Sequence, residues 1–228
     1  MKKLLAKVLP FIVHGGAWLT LAWWIFAFNT GRLTVNPIQA FTQRTGDAAL
    51  IFLLLSLSIT PLHTLTGWNP IVKQRRSLGL YAFMFAAIHL LTFTGLDYGF
   101  DFRLLWNEVF SQKRYALVGS LAFIILLALA ATSFKRSMKR LGKKWKQLHR
   151  LVYLAGILVV IHFAWVIKGN VVGLSGDVIR PVLAGGVLLL LLVLRLPPVR
   201  RRIAARRKRK VRKINPGMVV QKNIWSRD

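Results

Sequence analysis

The sequence predicts an all-α integral membrane protein, a bundle of six transmembrane helices. Hydrophobic residues make up 55% of the 228 positions and the mean hydropathy is +0.50, while 18% charged residues are too few to coat a soluble surface. The apolar residues gather into six runs near the ~20 residues a helix needs to cross a ~30 Å hydrocarbon layer. Lipid admits only helices or closed barrels, and these runs lack the alternation of barrel strands.

The first run, roughly 8–28, follows Lys2, Lys3 and Lys7 and could pass for a signal peptide. Its length predicts an anchor instead, as do Trp18, Trp23 and Trp24 where small cleavage-site residues would stand. The second run covers roughly 48–65, and the third, roughly 78–96, follows Lys73, Arg75 and Arg76. A fourth run at roughly 115–134 leads into a loop with eight basic residues by the start of the fifth, roughly 148–167. The sixth spans roughly 179–196. The loops between them are too short to hold a folded extramembrane domain. The expected organisation is therefore a transmembrane domain over residues 1–198 and a basic tail over 199–228.

Orientation follows from Lys and Arg. Twenty-seven lie on the side of the termini and seven on the other, a split that predicts both termini in the cytoplasm. Arg32, Arg44, Arg103, Lys113, Arg114, Lys168 and Arg180 make up the minority, with Asp47, Asp97, Asp101, Glu108 and Asp177 beside them. The net charge of +28 would suggest a nucleic-acid binder if it were spread over a soluble fold. Its one-sided placement predicts topology and lipid contact instead, with no nucleic-acid partner. RRIAARRKRKVRK is expected to be a solvated arm or a patch held at anionic lipid headgroups, at about 1 kcal/mol per basic residue.

The chemistry available is narrow. Zero cysteines exclude disulfides, thiolate-bound metal centres, covalently attached c-type haem and a Cys nucleophile. No Asp, Glu or Lys stands at a span centre, which argues against an ion pump or a hydrolase. There is no P-loop and no G-x-G-x-x-G. Five histidines remain.

His89, eleven residues into the third span, and His162, fourteen into the fifth, sit at similar depth in the outer half, because both spans run the same way. Facing neutral imidazoles are how a b-type haem is held axially, the iron taking lone pairs that lipid would leave unsatisfied. Ala82 and Ala86 lead to His89, and Ala155 lies two turns before His162, so small residues could admit a flat ring. His149, near the start of the fifth span with Gly156 two turns on, lies ~20 Å from His162 along the helix and could serve a second, inner haem. The two would project about 140° apart around an ideal helix. The third span offers no inner histidine, since Arg75 and Arg76 occupy that depth. His14, beside Gly15 and Gly16, is the remaining inner candidate. His14 and His149 could equally hydrogen-bond between helices. His63 is expected to be an interfacial polar residue, and Trp68, Trp106, Trp145 and Trp165 an aromatic belt. Arg75 and Arg76 read as topology determinants, and they could also meet a haem propionate or a phosphate.

RRSLGLYAFMFAAIH, ending at His89, and LGKKWKQLHRLVYLAGILVVIH, carrying His149 and His162, resemble the MsrQ (YedZ) family. Its members are the haem-binding membrane subunits of bacterial periplasmic methionine sulfoxide reductase systems. The resemblance runs from Val8 to Leu196 and includes TGDAALIFLLLSLSITPL. It implies a six-helix cytochrome of the ferric reductase and NADPH oxidase-like superfamily, in the inner membrane. Such a subunit performs no catalysis of its own. It passes electrons from the cytoplasmic or quinone side to MsrP, a periplasmic molybdopterin enzyme that reduces methionine sulfoxide in proteins. The resemblance further implies one or two haem b, FMN, and haem-associated roles for His89, His149 and His162, with His14 matching a first-helix histidine. The sequence shows no phosphate cradle for FMN. Oxidases of the superfamily carry paired histidines on both ligand helices and a C-terminal flavin domain; here the third span has one histidine and that domain is absent, so a separate donor is expected, the quinone pool or a cytoplasmic flavin reductase. A ferric or quinone-linked reductase with another acceptor is the nearest alternative, and a haem-free transporter or scaffold a further one.

Overall fold

The computed structural model describes residues 2–167 and 178–214; Lys168 and Asp177, and the tail from 215 onward, lie outside the described residues. The described residues form ten α-helices joined by short 3-10 and π segments. α1 (Lys2–Asn29) is a mostly apolar helix with Pro10 inside it. α2 (Pro37–Thr66) begins eleven residues before its apolar run, because Asn36 caps it by accepting from the Gln39 N–H at 3.1 Å and Pro37 supplies the preset first turn. It ends at Gly67, whose φ of 71° gives the left-handed cap and whose N–H returns to the His63 carbonyl.

α3 (Gln74–Leu91) relaxes into a π-helical turn over Thr92–Asp97 just beyond His89. α4 (Phe102–Ser111) lies in what the sequence presents as a loop; the Asp101 carboxylate caps it, accepting from the N–H groups of Arg103 and Leu104. That capping role gives Asp101 a local duty that its formal charge does not reveal. α5 (Tyr115–Ala131) stands at 115° to α4. α6 (Lys135–Leu141) and α7 (Lys143–Leu148) form the basic turn before α8 (Leu151–Val166), and α9 (Ile179–Val193) is the last apolar helix. α10 (Pro197–Ile214) departs from α9 at 72°. The expected solvated arm is thus helical over its described part, with Val199, Ile203, Ala204 and Arg207 half-buried at helical spacing.

Four helices are long and apolar enough to cross a membrane, or six if each bent pair counts as one span. Phe11, Leu19, Ile124, Leu183 and Leu189 are each at least 60% exposed, an outward apolar girdle that water would not tolerate and lipid requires. The main core joins Leu53 and Leu57 of α2, Ala82 of α3, Ile125, Leu126 and Leu129 of α5, Ala155 of α8, and Leu188 and Leu191 of α9. A smaller cluster sets Ala17 of α1 against Ala48, Tyr81 and Phe85.

Pro61 interrupts α2, and having no N–H it cannot serve the Leu57 carbonyl one turn before it. Arg195, just past α9, fills that role: one Nη donates to the Leu57 carbonyl and the other to the Tyr153 hydroxyl at 2.7 Å. A polar tie thus links α2, α8 and the end of α9 at the basic end of the bundle.

Candidate haem site

His89 and His162 face each other across the bundle, ring centroids 6.2 Å apart and planes 82° to one another. Each is tied at Nδ1, which donates to a backbone carbonyl: His89 to Thr42 at 2.8 Å and His162 to Tyr115 at 2.9 Å. Both carbonyls lie near the starts of their helices, Thr42 in the second turn of α2 and Tyr115 at the first residue of α5. With Nδ1 carrying the proton, Nε2 of each neutral imidazole keeps its lone pair, the arrangement that orients a metal-ligating histidine. Two metal–nitrogen bonds of ~2 Å, with the ring radius added at each end, amount to a centroid separation of about 6 Å. The pair is therefore spaced for one iron between them.

Two glycines that the sequence reading passed over make room for these rings. A Cβ on Gly46 of α2 would lie 3.0 Å from His89 Nδ1, and one on Gly119 of α5 would lie 2.8 Å from His162 Nδ1 and Cε1. The expected alanines do other work. Ala82 and Ala155 are fully buried in the main core, packing helices together. Gly156 likewise accommodates Leu188, at 3.2 Å from its would-be Cβ, rather than clearing a face for His149. The glycines opposite the histidines come from other helices, so only a three-dimensional register could reveal them.

Among the described residues no group of three or more His, Asp or Glu side chains gathers to hold a bare metal ion. A pair of imidazoles suits a metal whose other ligands come from a macrocycle, and absent cysteines leave a non-covalent b-type haem as the group these residues fit.

The inner histidines engage other partners. His149 Nε2 is 3.1 Å from the Thr132 hydroxyl, and its ring lies against Trp145 at 4.1 Å, with Trp145 Nε1 donating to the Thr132 carbonyl. His14 Nδ1 is 2.6 Å from the Tyr81 hydroxyl. Among the described residues neither has a ring contact with another histidine. His63 bonds Asn69 at 2.9 Å. The Arg75 carbonyl accepts from Ser56, and the Arg76 guanidinium lies over the Phe134 ring at 5.8 Å. Trp106 and Trp165 are more than half exposed, as belt residues are, whereas Trp145 is engaged by Thr132 and His149.

The pattern of the family described as ferric reductase like transmembrane component matches residues 45–160, from α2 through most of α8. The chain belongs to this class of membrane proteins. It is also 42% identical over 171 residues to the protein-methionine-sulfoxide reductase heme-binding subunit MsrQ of Rhodospirillum rubrum, covering 75% of this chain and 78% of the relative. The MsrQ subunits of Bordetella pertussis (36% over 184 residues; 81% and 86%) and Xanthomonas euvesicatoria (37% over 186; 78% and 80%) are similar to it as well. Within the class, the chain belongs to the MsrQ family.

Proposed function

We propose that this chain is the electron-transfer subunit of a protein-methionine-sulfoxide reductase system, holding haem b between His89 and His162. The observation that carries the reading is the facing pair itself, 6.2 Å apart with each Nδ1 tied to a carbonyl. The haem-binding MsrQ names of its relatives support it. The chain makes and breaks no bonds of substrate: the haem supplies reversible one-electron chemistry, and the protein's part is to hold it in a layer that excludes ions and water. Thr42 and Tyr115 fix the tautomer and the ring planes, and the apolar girdle seats the site in lipid. The termini are assigned to the cytoplasm on the 27-to-7 split of basic residues, in the bacterial inner membrane. Electrons then travel from the cytoplasmic or quinone side toward the end carrying Thr42 and Tyr115, and on to a periplasmic MsrP-type molybdopterin reductase. FMN rests on the resemblance alone, and no transfer step described here requires it. The basic side chains of α10 are assigned to contact with anionic lipid headgroups.

The test is the dithionite-reduced minus oxidised spectrum of protein purified in mild detergent, with haem quantified per chain. One b-type haem is expected, lost in His89→Ala and His162→Ala and kept in His149→Ala. Full haem content in both of the first two variants would refute the ligand pair. A haem-free protein from haem-replete cells would return a transporter or scaffold to first place.

A further inference from the structure

Lys113, one of the seven basic residues assigned to the outer side, is half-buried beside two aromatic rings. Its ammonium lies 5.7 Å from the centre of the Phe93 ring and 4.9 Å from that of Tyr98, and it donates to the Tyr98 hydroxyl. The two rings pack edge to face at 5.1 Å. Both sides of this cluster lead to the candidate haem site. Phe93 stands four residues, about one turn, beyond His89. Lys113 stands two residues before Tyr115, whose ring lies 5.8 Å from that of His162 and whose carbonyl ties it. The ammonium is thus held on the outer side of both facing imidazoles.

The hydrogen bonding of this cluster is one-sided. An ammonium has three donors, of which Tyr98 takes one, and a phenol that accepts from Lys113 keeps its own O–H to give. Among the described residues neither group has another hydrogen-bond partner, and Lys113 forms no ion pair. The ring faces steady the positive charge without neutralising it. Donors and a cation with no acceptor beside them are the complement of a carboxylate. The other outer basic residues are engaged or turned elsewhere. Arg180 is 3.6 Å from Asp47, the Arg32 guanidinium lies over the Phe26 ring, and Arg103 and Arg114 are exposed. Arg44 sits midway between Thr42 and Gly46, about 200° around α2 from both.

A haem held by His89 and His162 brings two carboxylates that hydrocarbon rejects and that must reach a cation or water. Arg75 and Arg76 at the opposite rim lie ~20 Å from His89 along α3, whereas His162 is four residues, ~6 Å, from the end of α8. We propose that Lys113 and Tyr98 bind a propionate of that haem and so fix which edge of the macrocycle faces outward. The proposal rests on the haem reading above and deepens it by naming residues that hold the ring by its edge, independently of the iron.

The experiment loads the full chain in mild detergent with haem b or with haem dimethyl ester, whose propionates carry no charge, and follows transfer of each to excess apomyoglobin. Lys113→Met should release haem b about tenfold or more faster than the wild type, the worth of hydrogen bonds to a charged group. Lys113→Arg should restore most of the retention. With the ester, the wild type and Lys113→Met should release at nearly the same rate, because the two changes remove one contact. Arg44→Gln should release haem b at the wild-type rate. An undiminished effect of Lys113→Met on the ester would overturn the proposal, since the lysine would then act through the packing of Tyr98 and Phe93. Wild-type release of haem b from Lys113→Met, or equally fast release from Arg44→Gln, would overturn it too. Those results leave a haem-binding chain and strike this assignment alone, whereas a wild-type chain that takes up no haem would overturn the electron-transfer reading along with it.

Discussion

Replacing Gly119 with Ala is the sharpest perturbation of the site. The added Cβ would stand 2.8 Å from two ring atoms of His162, about 0.6 Å short of the 3.4 Å of ordinary contact. The ring cannot swing clear without straining its 2.9 Å bond to the Tyr115 carbonyl or changing its 6.2 Å approach to the His89 ring. Disturbing a hydrogen bond behind a metal ligand typically costs 10–100-fold in affinity, about 1.4–2.8 kcal/mol. Helix propensity works the other way, since Gly to Ala inside a helix gains about 0.5–1 kcal/mol. A loss of haem affinity can therefore be assigned to the ring and not to the helix. The assay is haem retention on purification, together with the rate of haem transfer to excess apomyoglobin. Gly186→Ala on α9, where a new Cβ meets nothing within 4 Å, serves as the control. Gly119→Ala should lose haem at least ~10-fold faster, Gly46→Ala less so from its 3.0 Å contact, and Gly186→Ala not at all. Wild-type retention in both Gly119→Ala and Gly46→Ala would refute the argument that the carbonyl-tied rings are held by those helices.

Arg195→Met should lower stability by about 1–3 kcal/mol by orphaning the Leu57 carbonyl, and by less in a Pro61→Ala background, where the helix regains its own donor; thermal unfolding in detergent measures both. Arg207→Ala removes the guanidinium that donates to the carbonyls of His63 and Thr64 at 3.0 and 2.9 Å. Trypsin should then cut α10 several-fold faster while the haem spectrum stays unchanged. Asp101→Ala, losing two cap bonds, should cost about 1 kcal/mol and fray α4, seen as faster amide exchange there. Unaltered exchange would show that the carboxylate is not needed as a cap.

Hydrophobic runs, the basic rim and the histidines at matched depth were legible in the sequence, because lipid imposes a length, a charge rule and a scarcity of polar groups that act residue by residue. His89 and His162 could be singled out for that reason. Their supports could not. The carbonyls of Thr42 and Tyr115 belong to every residue alike, and Gly46 and Gly119 matter only because of which ring they happen to face. α4 was hidden because Phe102–Ser111 is too short for a span, although Asp101 ahead of its apolar positions is an ordinary start signal. His149 is a candidate ligand by its position, and its contacts with Thr132 and Trp145 depend on how the basic turn over α6 and α7 folds back, which no single residue announces.

The two halves of the candidate site are each complete in themselves. His89 of α3 takes its tie from α2, and His162 of α8 takes its tie from α5, and among the described residues these are also the two most extensively packed helix pairs. Each pair is separated from the other by the α4 segment in sequence, so the first can settle in the bilayer before the second has left the ribosome. A haem arriving between them would act as the clasp of two prefabricated leaves, making cofactor supply a checkpoint in biogenesis as well as a condition for turnover.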